Sequence, residues 1–450
     1  MANGLKSFLS KHVLGDQLAG RLLGPGLAAL VIKIASAAFS YLMLVAFARM
    51  LDPVAYGHFG VMLNISIVMS AVAALGLPTA AMRFWAGHQA KGDIDLAKGF
   101  HIGAQKILLA VSVALFGGGV ILSMLGWGTD YFGLRNGALL VAVFAVVLAF
   151  ADYFANILRA QNEIIWSMAP RDVVWRIGSP VVAFILFWST GILTAGWAIG
   201  CCIAVLAVLT CAQGLASHQA MKALAGDSPA RSDWSQWRGP LLPLAGASIL
   251  FAMVQQLDVV VISAFLGAQE AGAYFAAQKT ASLLGLVMIA GGLVAAPLMS
   301  AAWQSGRKAE LQRLCKMLAL AIAVSTAIGF VVLVLIGKPL LMIFDPAYQS
   351  AYPLLLILGL GYAIDALAGP TAYLMQMTSL EGAYLRIMAV VYGFVLALQL
   401  VFVPLYGAVA AACATALGVA LWNIIAIRQL RRSIGVDSSI LSFFLPPKSA

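Results

Sequence analysis

Long apolar blocks separated by short polar breaks run through most of the chain, for example at residues 139–150 and 318–336. Blocks of about 20 residues match a hydrocarbon core about 30 Å thick that is crossed by an α-helix. The pattern therefore predicts an all-α, polytopic membrane protein with about twelve transmembrane helices. The predicted spans are 26–49, 58–84, 101–126, 137–158, 172–190, 193–217, 240–266, 272–299, 314–337, 351–376, 382–403 and 406–428.

The composition agrees with this fold class. Of the 450 residues, 62% are hydrophobic and 10% are charged, whereas soluble domains average about 25% charged residues. No water-soluble fold could bury so much apolar surface. The five cysteines have no spacing that is typical of a metal site, so we expect no metal and no other cofactor. They are Cys201, Cys202, Cys211, Cys315 and Cys413.

The net charge of +10 raises the question of a nucleic-acid partner, and the positions of the basic residues answer it. When the predicted spans alternate sides, 22 Lys and Arg residues fall on the side that holds both termini, three fall on the other side and two lie within spans. The positive-inside rule then predicts both termini in the cytoplasm. Topology accounts for the basic excess, so we expect no nucleic-acid partner.

The longest polar break contains the turn-forming residues 226–229 and divides six predicted spans from six. Residues 5–22 alternate apolar and basic side chains in a pattern that is typical of a helix lying on a membrane surface. The predicted units are a cytoplasmic interfacial helix at 1–25, an N-terminal six-helix lobe at 26–218, a cytoplasmic linker at 219–239, a C-terminal six-helix lobe at 240–428 and a cytoplasmic tail at 429–450.

The two halves contain a weak internal repeat at an offset of about 215 residues. It places Gly57 opposite Gly272 and Phe59 opposite Tyr274. Six spans is an even number, so both copies must enter the membrane in the same direction. The repeat therefore predicts two lobes related by a pseudo-two-fold axis along the membrane normal.

Two stretches near the start of the chain carry a family resemblance. Residues 48–60, ARMLDPVAYGHFG, and residues 76–84, GLPTAAMRF, resemble the opening of the polysaccharide transporter family. These proteins are the oligosaccharide-lipid flippases of the multidrug/oligosaccharidyl-lipid/polysaccharide exporter superfamily. Asp52 stands where the family often has Gly before the Pro.

The second lobe supports the resemblance. Asp258, FLG at 265–267 and GAYFAA at 272–277 are similar to the family's seventh and eighth helices. The resemblance is good over residues 26–100 and 245–300. It implies a V-shaped pair of six-helix lobes, a cationic central cavity lined largely by helices 1, 2, 7 and 8, and a substrate of sugars on a polyprenyl pyrophosphate.

Ionisable side chains inside the predicted spans are the candidates for function, because each costs about 2.5–3.5 kcal/mol at mid-membrane unless it faces protein or water. Lys33 shares a polar stripe with Ser36 and Ser40 on the first predicted helix. Similar stripes on the fourth, seventh and tenth predicted helices indicate a polar lumen in both lobes. The candidate substrate-binding residues are Lys33, Ser36, Ser40, Arg49, Arg83, Gln255, Asp258, Lys279, Tyr362 and Asp365.

A lumenal cation is required if the substrate carries a pyrophosphate, because a phosphate oxygen within about 4 Å gains about 4 kcal/mol at an effective dielectric of about 20. We expect Lys33 to supply this cation. Arg49, Arg83 and Lys279 are the next candidates. Snorkelling is the alternative for Lys33, and interface anchoring is favoured for Arg83. Asp258 and Lys279 lie equally far from the turn between their helices, which predicts an ion pair at one depth.

The leading functional hypothesis is a flippase that moves a polyprenyl-pyrophosphate-linked oligosaccharide across a bacterial inner (plasma) membrane for surface polysaccharide synthesis. The alternatives are a drug- or cation-exporting relative and a non-transporting membrane scaffold of polysaccharide assembly. We expect no enzymatic activity, since the sequence has no ATP-binding loop and no extramembrane segment large enough for a catalytic domain. The expected partners are the lipid-linked oligosaccharide and the lipid bilayer, and polysaccharide polymerases are candidate partners.

Overall fold

The computed structural model describes residue 33 and residues 35–226 and 229–443, and every regular element within these ranges is helical. The α-helices, numbered in chain order among these residues, are α1 (Ala35–Met50), α2 (Pro53–Ala74), α3 (Leu77–Ala90), α4 (Ile94–Met124), α5 (Thr129–Phe132), α6 (Gly137–Ala160), α7 (Ile164–Ala169), α8 (Trp175–Thr190), α9 (Ala195–Ala225), α10 (Trp234–Leu266), α11 (Ala268–Ala281), α12 (Leu286–Gln304), α13 (Lys308–Phe344), α14 (Tyr352–Ala368), α15 (Thr371–Met377), α16 (Glu381–Tyr406) and α17 (Ala408–Ser433). A π-helical turn, Pro170–Val174, joins α7 to α8, and 3₁₀ turns span Ser282–Gly285, Pro346–Ala351 and Ile440–Phe443. The predicted interfacial helix at 1–25 lies outside the described residues.

The outer surface of the helical bundle is apolar. Eleven helical segments among the described residues are long and apolar enough to cross a membrane. Large side chains such as Trp188, Leu242 and Leu335 are between 74% and 80% exposed. Lipid can cover such side chains, and helices satisfy their own backbone groups where no water is present. With α1, whose predicted span begins outside the described residues, this confirms an all-α, multi-pass membrane protein.

The turn between α1 and α2 is fixed by Asp52 and Pro53. The Asp52 carboxylate accepts hydrogen bonds from the backbone N–H groups of Val54 (3.0 Å) and Ala55 (2.9 Å). Pro53 follows as the first helical residue, where its missing N–H costs nothing. Asp52 therefore caps α2.

The predicted span 58–84 is interrupted, which the hydropathy pattern does not show. Leu75 and Gly76 both adopt left-handed backbone conformations, with φ of 46° and 71°, and separate α2 from α3. The break lets the chain pass directly against α10, because a Cβ on Gly76 would lie 2.6 Å from the backbone nitrogen of Ala245. Glycine suits both the conformation and this close approach.

The predicted linker and tail are partly packed against the lobes. Trp237 is buried against the N-terminal lobe, and its indole Nε1–H donates to Nε2 of His88 at 3.3 Å. Burial lowers the pKa of His88, which favours the neutral ring that can accept this bond. In the predicted tail, the Ser438 hydroxyl lies 2.8 Å from the Thr371 hydroxyl of α15. The carbonyl oxygen of Asp437, also in the tail, accepts a hydrogen bond from the Gln312 amide of α13 at 2.7 Å.

The two lobes approach each other most closely where α2 meets α11. A Cβ on Gly57 would lie 1.8 Å from the carbonyl oxygen of Ala268, and a Cβ on Gly272 would lie 3.1 Å from the carbonyl oxygen of Pro53. The repeat offset relates Gly57 to Gly272 and Pro53 to Ala268, so the two contacts are reciprocal. Reciprocal contacts are the mark of a two-fold axis, and small residues let membrane helices approach this closely.

Aromatic and polar groups surround the glycine contact. The rings of Tyr56 and Phe275 lie 5.9 Å apart, and those of Tyr56 and Tyr348 also lie 5.9 Å apart. The Tyr348 hydroxyl donates to the carbonyl oxygen of Pro53 at 3.3 Å. These contacts close the gap between the lobes at the end of the bundle that the charge count predicts to face outside.

We expect Gly57→Ala to lower the melting temperature of the purified protein, because the added methyl group would displace the backbone of α11. Overpacking of this kind costs about 1–3 kcal/mol. Gly117→Ala in α4 is the matched control, since nothing lies within 4 Å of its Cβ position. Thermal unfolding followed by tryptophan fluorescence measures both variants, and equal melting temperatures would contradict the close contact.

Labelling of intact cells tests the predicted topology. Gln269 and Ser305 are exposed at opposite ends of the α11–α12 segment. In a variant without native cysteines, we expect Gln269→Cys to react with a membrane-impermeant maleimide and Ser305→Cys to react only after permeabilisation. The reagent cannot cross the bilayer, so the opposite pattern would place both termini outside the cell.

Candidate functional site

Two of the cavities among the described residues of the bundle are large enough to hold a small ligand. The interlobe cavity has a volume of about 340 Å³ and is lined by residues of α1, α8, α11 and α12 together with residue 33 and the 3₁₀ turn Ser282–Gly285. The C-lobe cavity is larger, about 680 Å³, and is lined mainly by α10, α14, α15, α16 and α17. The two cavities differ in charge, as their side chains show.

A network of charged groups from residue 33, the π-helical turn and the start of α8 borders the interlobe cavity. The Lys33 ammonium lies 2.9 Å from the Asp172 carboxylate, which is also 3.9 Å from the Arg176 guanidinium. Arg176 donates to both the carbonyl oxygen and the hydroxyl of Ser36. Lys33 is therefore paired with a carboxylate of the protein, although its side chain stays 39% exposed. Its part in substrate binding stays a prediction.

The third cation of the interlobe cavity comes from the C-terminal lobe. Lys279 lines the cavity opposite Lys33 and Arg176. Its ammonium lies 5.2 Å from the centre of the Phe275 ring and, within the described part of the chain, has no hydrogen bond or ion pair within 4 Å. Three cations thus border the cavity, and Asp172 lies within 4 Å of two of them, Lys33 and Arg176, which leaves the cavity with an excess of positive charge.

The π-helical turn at Pro170–Val174 positions the guanidinium groups. Pro170 has no N–H to donate, and the N–H of Trp175 bonds to the Pro170 carbonyl oxygen across the widened turn. The turn directs Arg171 to the carboxylate of Asp152 on α6, while Arg176 reaches α1. Turns of this kind are frequent at functional sites.

Sequence reasoning missed Arg176 as a candidate. The charge count placed it among the cytoplasmic loop residues, whereas it lies inside the helical segment Ile164–Thr190 and faces the cavity. The available signal was the spacing of Asp172 and Arg176, which are four residues apart at the start of an apolar span. Opposite charges at this spacing lie on one helix face.

The predicted ion pair between Asp258 and Lys279 is wrong. The Asp258 carboxylate accepts hydrogen bonds from the Tyr274 hydroxyl (3.0 Å), the Gln399 amide (2.9 Å) and the Thr415 hydroxyl (2.9 Å). Asp258 lines the C-lobe cavity, while Lys279 lines the interlobe cavity. The two residues were matched by depth, but depth does not fix the direction in which a side chain leaves its helix.

The remaining sequence candidates divide between the two cavities and the lobe contact. Ser36 and Ser40 line the interlobe cavity, whereas Gln255, Tyr362 and Asp365 line the C-lobe cavity with Asp258. Arg49 lines neither cavity. Its guanidinium donates to the carbonyl oxygens of Ile343 (2.5 Å) and Met342 (3.1 Å) at the end of α13. Arg83 also lies outside both cavities and is exposed, 5.9 Å from the Phe84 ring.

The chemistry of the two cavities is that of polar and ionic binding. Across the described ranges, no group of three or more His, Cys, Asp or Glu side chains is placed to hold a metal ion. The interlobe cavity offers ammonium, guanidinium and hydroxyl donors, which suit an anion. The C-lobe cavity offers carboxyl, amide, phenol and indole groups, which suit a neutral or cationic polar ligand.

A sequence profile described as polysaccharide biosynthesis protein matches residues 26–303. The chain belongs to this family. A search of curated proteins gave no match. The matched region begins in the first predicted span and ends at the close of α12, so it includes all three cations of the interlobe cavity.

Solved structures of transporters share the fold of this polysaccharide biosynthesis protein. An inward-facing multidrug resistance MATE family transporter of the MOP superfamily is 13% identical, with a TM-score of 0.68 over 90% of this chain and 97% of the other. The lipid II flippase MurJ, in an inward closed conformation, is 13% identical, with a TM-score of 0.66 over 89% and 87% of the two chains. The MATE multidrug transporter DinF-BH is 14% identical, with a TM-score of 0.64 over 97% and 99%.

We expect Asp258→Asn to destabilise this family member, because the new NH2 group forces the Tyr274 and Thr415 hydroxyls to accept where they now donate. Hydrogen bonds of this kind contribute about 0.5–1.5 kcal/mol each. Adding Lys279→Gln should not restore stability, since the two residues form no ion pair. Thermal unfolding of the single and double variants measures the coupling. If the double variant is more stable than Asp258→Asn alone, the result would support an ion pair between Asp258 and Lys279 in the unmodified protein.

Proposed function

We propose that the protein moves a polyprenyl-pyrophosphate-linked oligosaccharide from the cytoplasmic to the outer leaflet of a bacterial inner membrane. The moved unit would serve the synthesis of a surface polysaccharide such as lipopolysaccharide. The observation that carries the proposal is the interlobe cavity, to which Lys33 and Arg176 contribute from one lobe and Lys279 from the other. Membership of a polysaccharide biosynthesis family supports the glycan part of the substrate.

The charge of the interlobe cavity suits a pyrophosphate. A cation and a phosphate oxygen about 4 Å apart gain about 4 kcal/mol at an effective dielectric of about 20. Ser40 also lines the cavity, and its hydroxyl can donate to a phosphate oxygen. The prenyl chain would remain in lipid, against the apolar outer surface of the helices.

The position of the cations between the lobes gives the substrate a way to drive a conformational change. Lys33 and Lys279 carry like charges on facing lobes, so an anion between them lowers their repulsion. A ligand shifts a conformational equilibrium only by its differential affinity for the two states. A pyrophosphate that contacts both lobes binds most tightly when they are close at this depth, and it thereby favours a rearrangement of one lobe against the other.

Several details belong to the same proposal. The cytoplasmic side would hold both termini, as the distribution of Lys and Arg predicts. The substrate would enter the interlobe cavity from that side, because the glycine and aromatic contacts close the lobes at the opposite end. A polysaccharide polymerase acting on the outer leaflet is a candidate partner. The fold shared with the lipid II flippase MurJ supports a lipid-linked cargo by analogy.

Export of a drug or cation is the second candidate function. Asp258 and Asp365 line the C-lobe cavity, and no Lys, Arg or His is among the described residues around it. Carboxyl groups in such a cavity would favour a cation, and the fold is shared with the MATE multidrug transporter DinF-BH. This candidate leaves the cations of the interlobe cavity without a role, so the lipid-linked oligosaccharide is favoured.

Transport by reconstituted protein tests the proposal. We expect Lys279→Ala to lower the rate at which a fluorescent polyprenyl-pyrophosphate saccharide becomes accessible at the opposite face of proteoliposomes. Hydrogen bonds to charged groups contribute about 1.5–3 kcal/mol, so the affinity should fall roughly 10- to 100-fold. Lys279→Arg should retain most of the activity because it keeps the charge.

Lys338→Ala is the matched control for Lys279→Ala. Lys338 lies on α13 outside both cavities, with its ammonium 5.4 Å from the Tyr352 ring centre, and its loss should leave the rate unchanged. A rate that is equal in the Lys279→Ala variant and the unmodified protein would refute the proposal. Transport of a cationic dye that depends on Asp365, with no transport of the lipid-linked saccharide, would support the second candidate.

A further inference from the structure

The C-lobe cavity is lined by polar groups that have no partner. The phenols of four tyrosines and the amides of two glutamines border it, and none of these side chains has a hydrogen bond within the part of the chain that the structure describes. Gln278 adds a buried amide oxygen without a partner. The six residues are Gln255, Tyr362, Tyr373, Gln376, Tyr384 and Tyr392.

None of these six residues is fully buried, and their polar groups are open to the cavity. Polar groups in a membrane-spanning lobe require a polar partner, because leaving them against apolar surroundings costs free energy. A scaffold lobe facing only lipid and protein would gain stability from apolar side chains at these positions. Water or a polar ligand must therefore fill the cavity. Its volume of about 680 Å³ falls within the range of about 300–1,000 Å³ that is usual for small-molecule sites.

The kinds of side chain indicate what the ligand is. The Tyr384 and Trp422 rings meet edge to face, with their centres 5.9 Å apart. Tyrosine and tryptophan combine an apolar ring with a polar edge. A pyranose sugar is their chemical counterpart, with apolar C–H faces and a rim of hydroxyl or acetamido groups. Amides and phenols can donate to and accept from such a rim.

The charge of the cavity restricts the class of sugar. Asp258 and Asp365 are its ionisable acidic residues, and no basic side chain is among the described residues that line it. Two carboxylates would repel a uronic acid or a phosphorylated sugar at short range. An uncharged sugar, an N-acetylated amino sugar or a free amino sugar meets no such repulsion.

The C-lobe cavity shares a wall with the interlobe cavity. Gln278 and Met288 line the C-lobe cavity, whereas their chain neighbours Lys279 and Ile289 line the interlobe cavity. Glycines bring this wall close to the tyrosines, because a Cβ on Gly292 would lie 2.1 Å from the Tyr373 ring. A pyrophosphate at Lys279 and a sugar among the tyrosines would thus lie on neighbouring faces of one helical segment.

We propose that the C-lobe cavity is a saccharide subsite that accepts an uncharged or amino sugar close to the pyrophosphate of the lipid-linked substrate. The subsite rests on the proposed function, because it needs the pyrophosphate to be held in the interlobe cavity. It adds a specificity that the cationic cavity cannot provide, since a pyrophosphate is common to all substrates of this class.

Equilibrium binding to the purified full-length protein tests the subsite. The probes are a short-chain polyprenyl pyrophosphate, the same lipid bearing one N-acetylhexosamine, and the same lipid bearing one hexuronic acid. We expect the N-acetylhexosamine to tighten binding about tenfold or more over the unglycosylated lipid, because it gains several hydrogen bonds. The hexuronic acid should give no such gain.

Variants assign the gain to the cavity. Tyr373→Phe and Gln376→Leu should each reduce the effect of the N-acetylhexosamine about three- to tenfold without changing the affinity for the unglycosylated lipid. Gly292→Ala should act in the same direction because it displaces the Tyr373 ring while keeping every polar group. Tyr406→Phe and Gln349→Leu are matched controls at exposed positions outside both cavities.

The outcomes separate the subsite from the proposed function. If the N-acetylhexosamine adds no affinity while Lys279→Ala weakens binding of the unglycosylated lipid, the subsite is wrong and the proposed function stands. A gain unaffected by the Tyr373 and Gln376 variants would also overturn the subsite, and an equal gain from hexuronic acid would overturn its charge specificity. If Lys279→Ala leaves the affinity for the unglycosylated lipid unchanged, both proposals are overturned.

Discussion

The hydrocarbon core of a membrane offers no hydrogen-bond partners, and this constraint governs the whole molecule. Backbone groups are satisfied within helices, and charged groups are satisfied by each other or by neutral donors. Lys33, Asp172 and Arg176 do so through an ionic network, and Asp258 does so through three neutral donors. Lys279 at the interlobe cavity and the buried Gln278 amide oxygen at the C-lobe cavity are among the described groups that lack such a partner.

The two cavities are complementary in charge. The interlobe cavity carries an excess of cations that neither lobe neutralises alone, because Lys279 has no carboxylate within 4 Å in the described structure. The C-lobe cavity carries carboxyl groups, amides and aromatic rings. A lipid-linked saccharide has the matching asymmetry, with its negative charge concentrated at the pyrophosphate and its hydroxyl groups on the glycan. The wall between the cavities would then separate recognition of the anchor from recognition of the sugar.

The contact between the lobes closes one end of the gap between them. Gly57 and Gly272 let α2 and α11 pack backbone to backbone, and the aromatic rings around Tyr56 seal that end. The interlobe cavity lies on the other side of this seal. Opening the seal would require the reciprocal glycine contact to separate, and small residues at such a contact allow separation without disentangling long side chains.

The sequence alone determined the fold class, the approximate spans and the repeat, because the length of an apolar block reports how far a helix extends through the membrane. The repeat even paired Gly57 with Gly272, which proved to face each other. Hydropathy reports depth along the membrane normal, however, and not the rotation of a helix about its axis. Tertiary structure therefore decided that Asp258 and Lys279 face different directions, that the turn at Pro170–Val174 brings Arg176 into the interlobe cavity, and that the chain breaks at Gly76 where α10 packs against it.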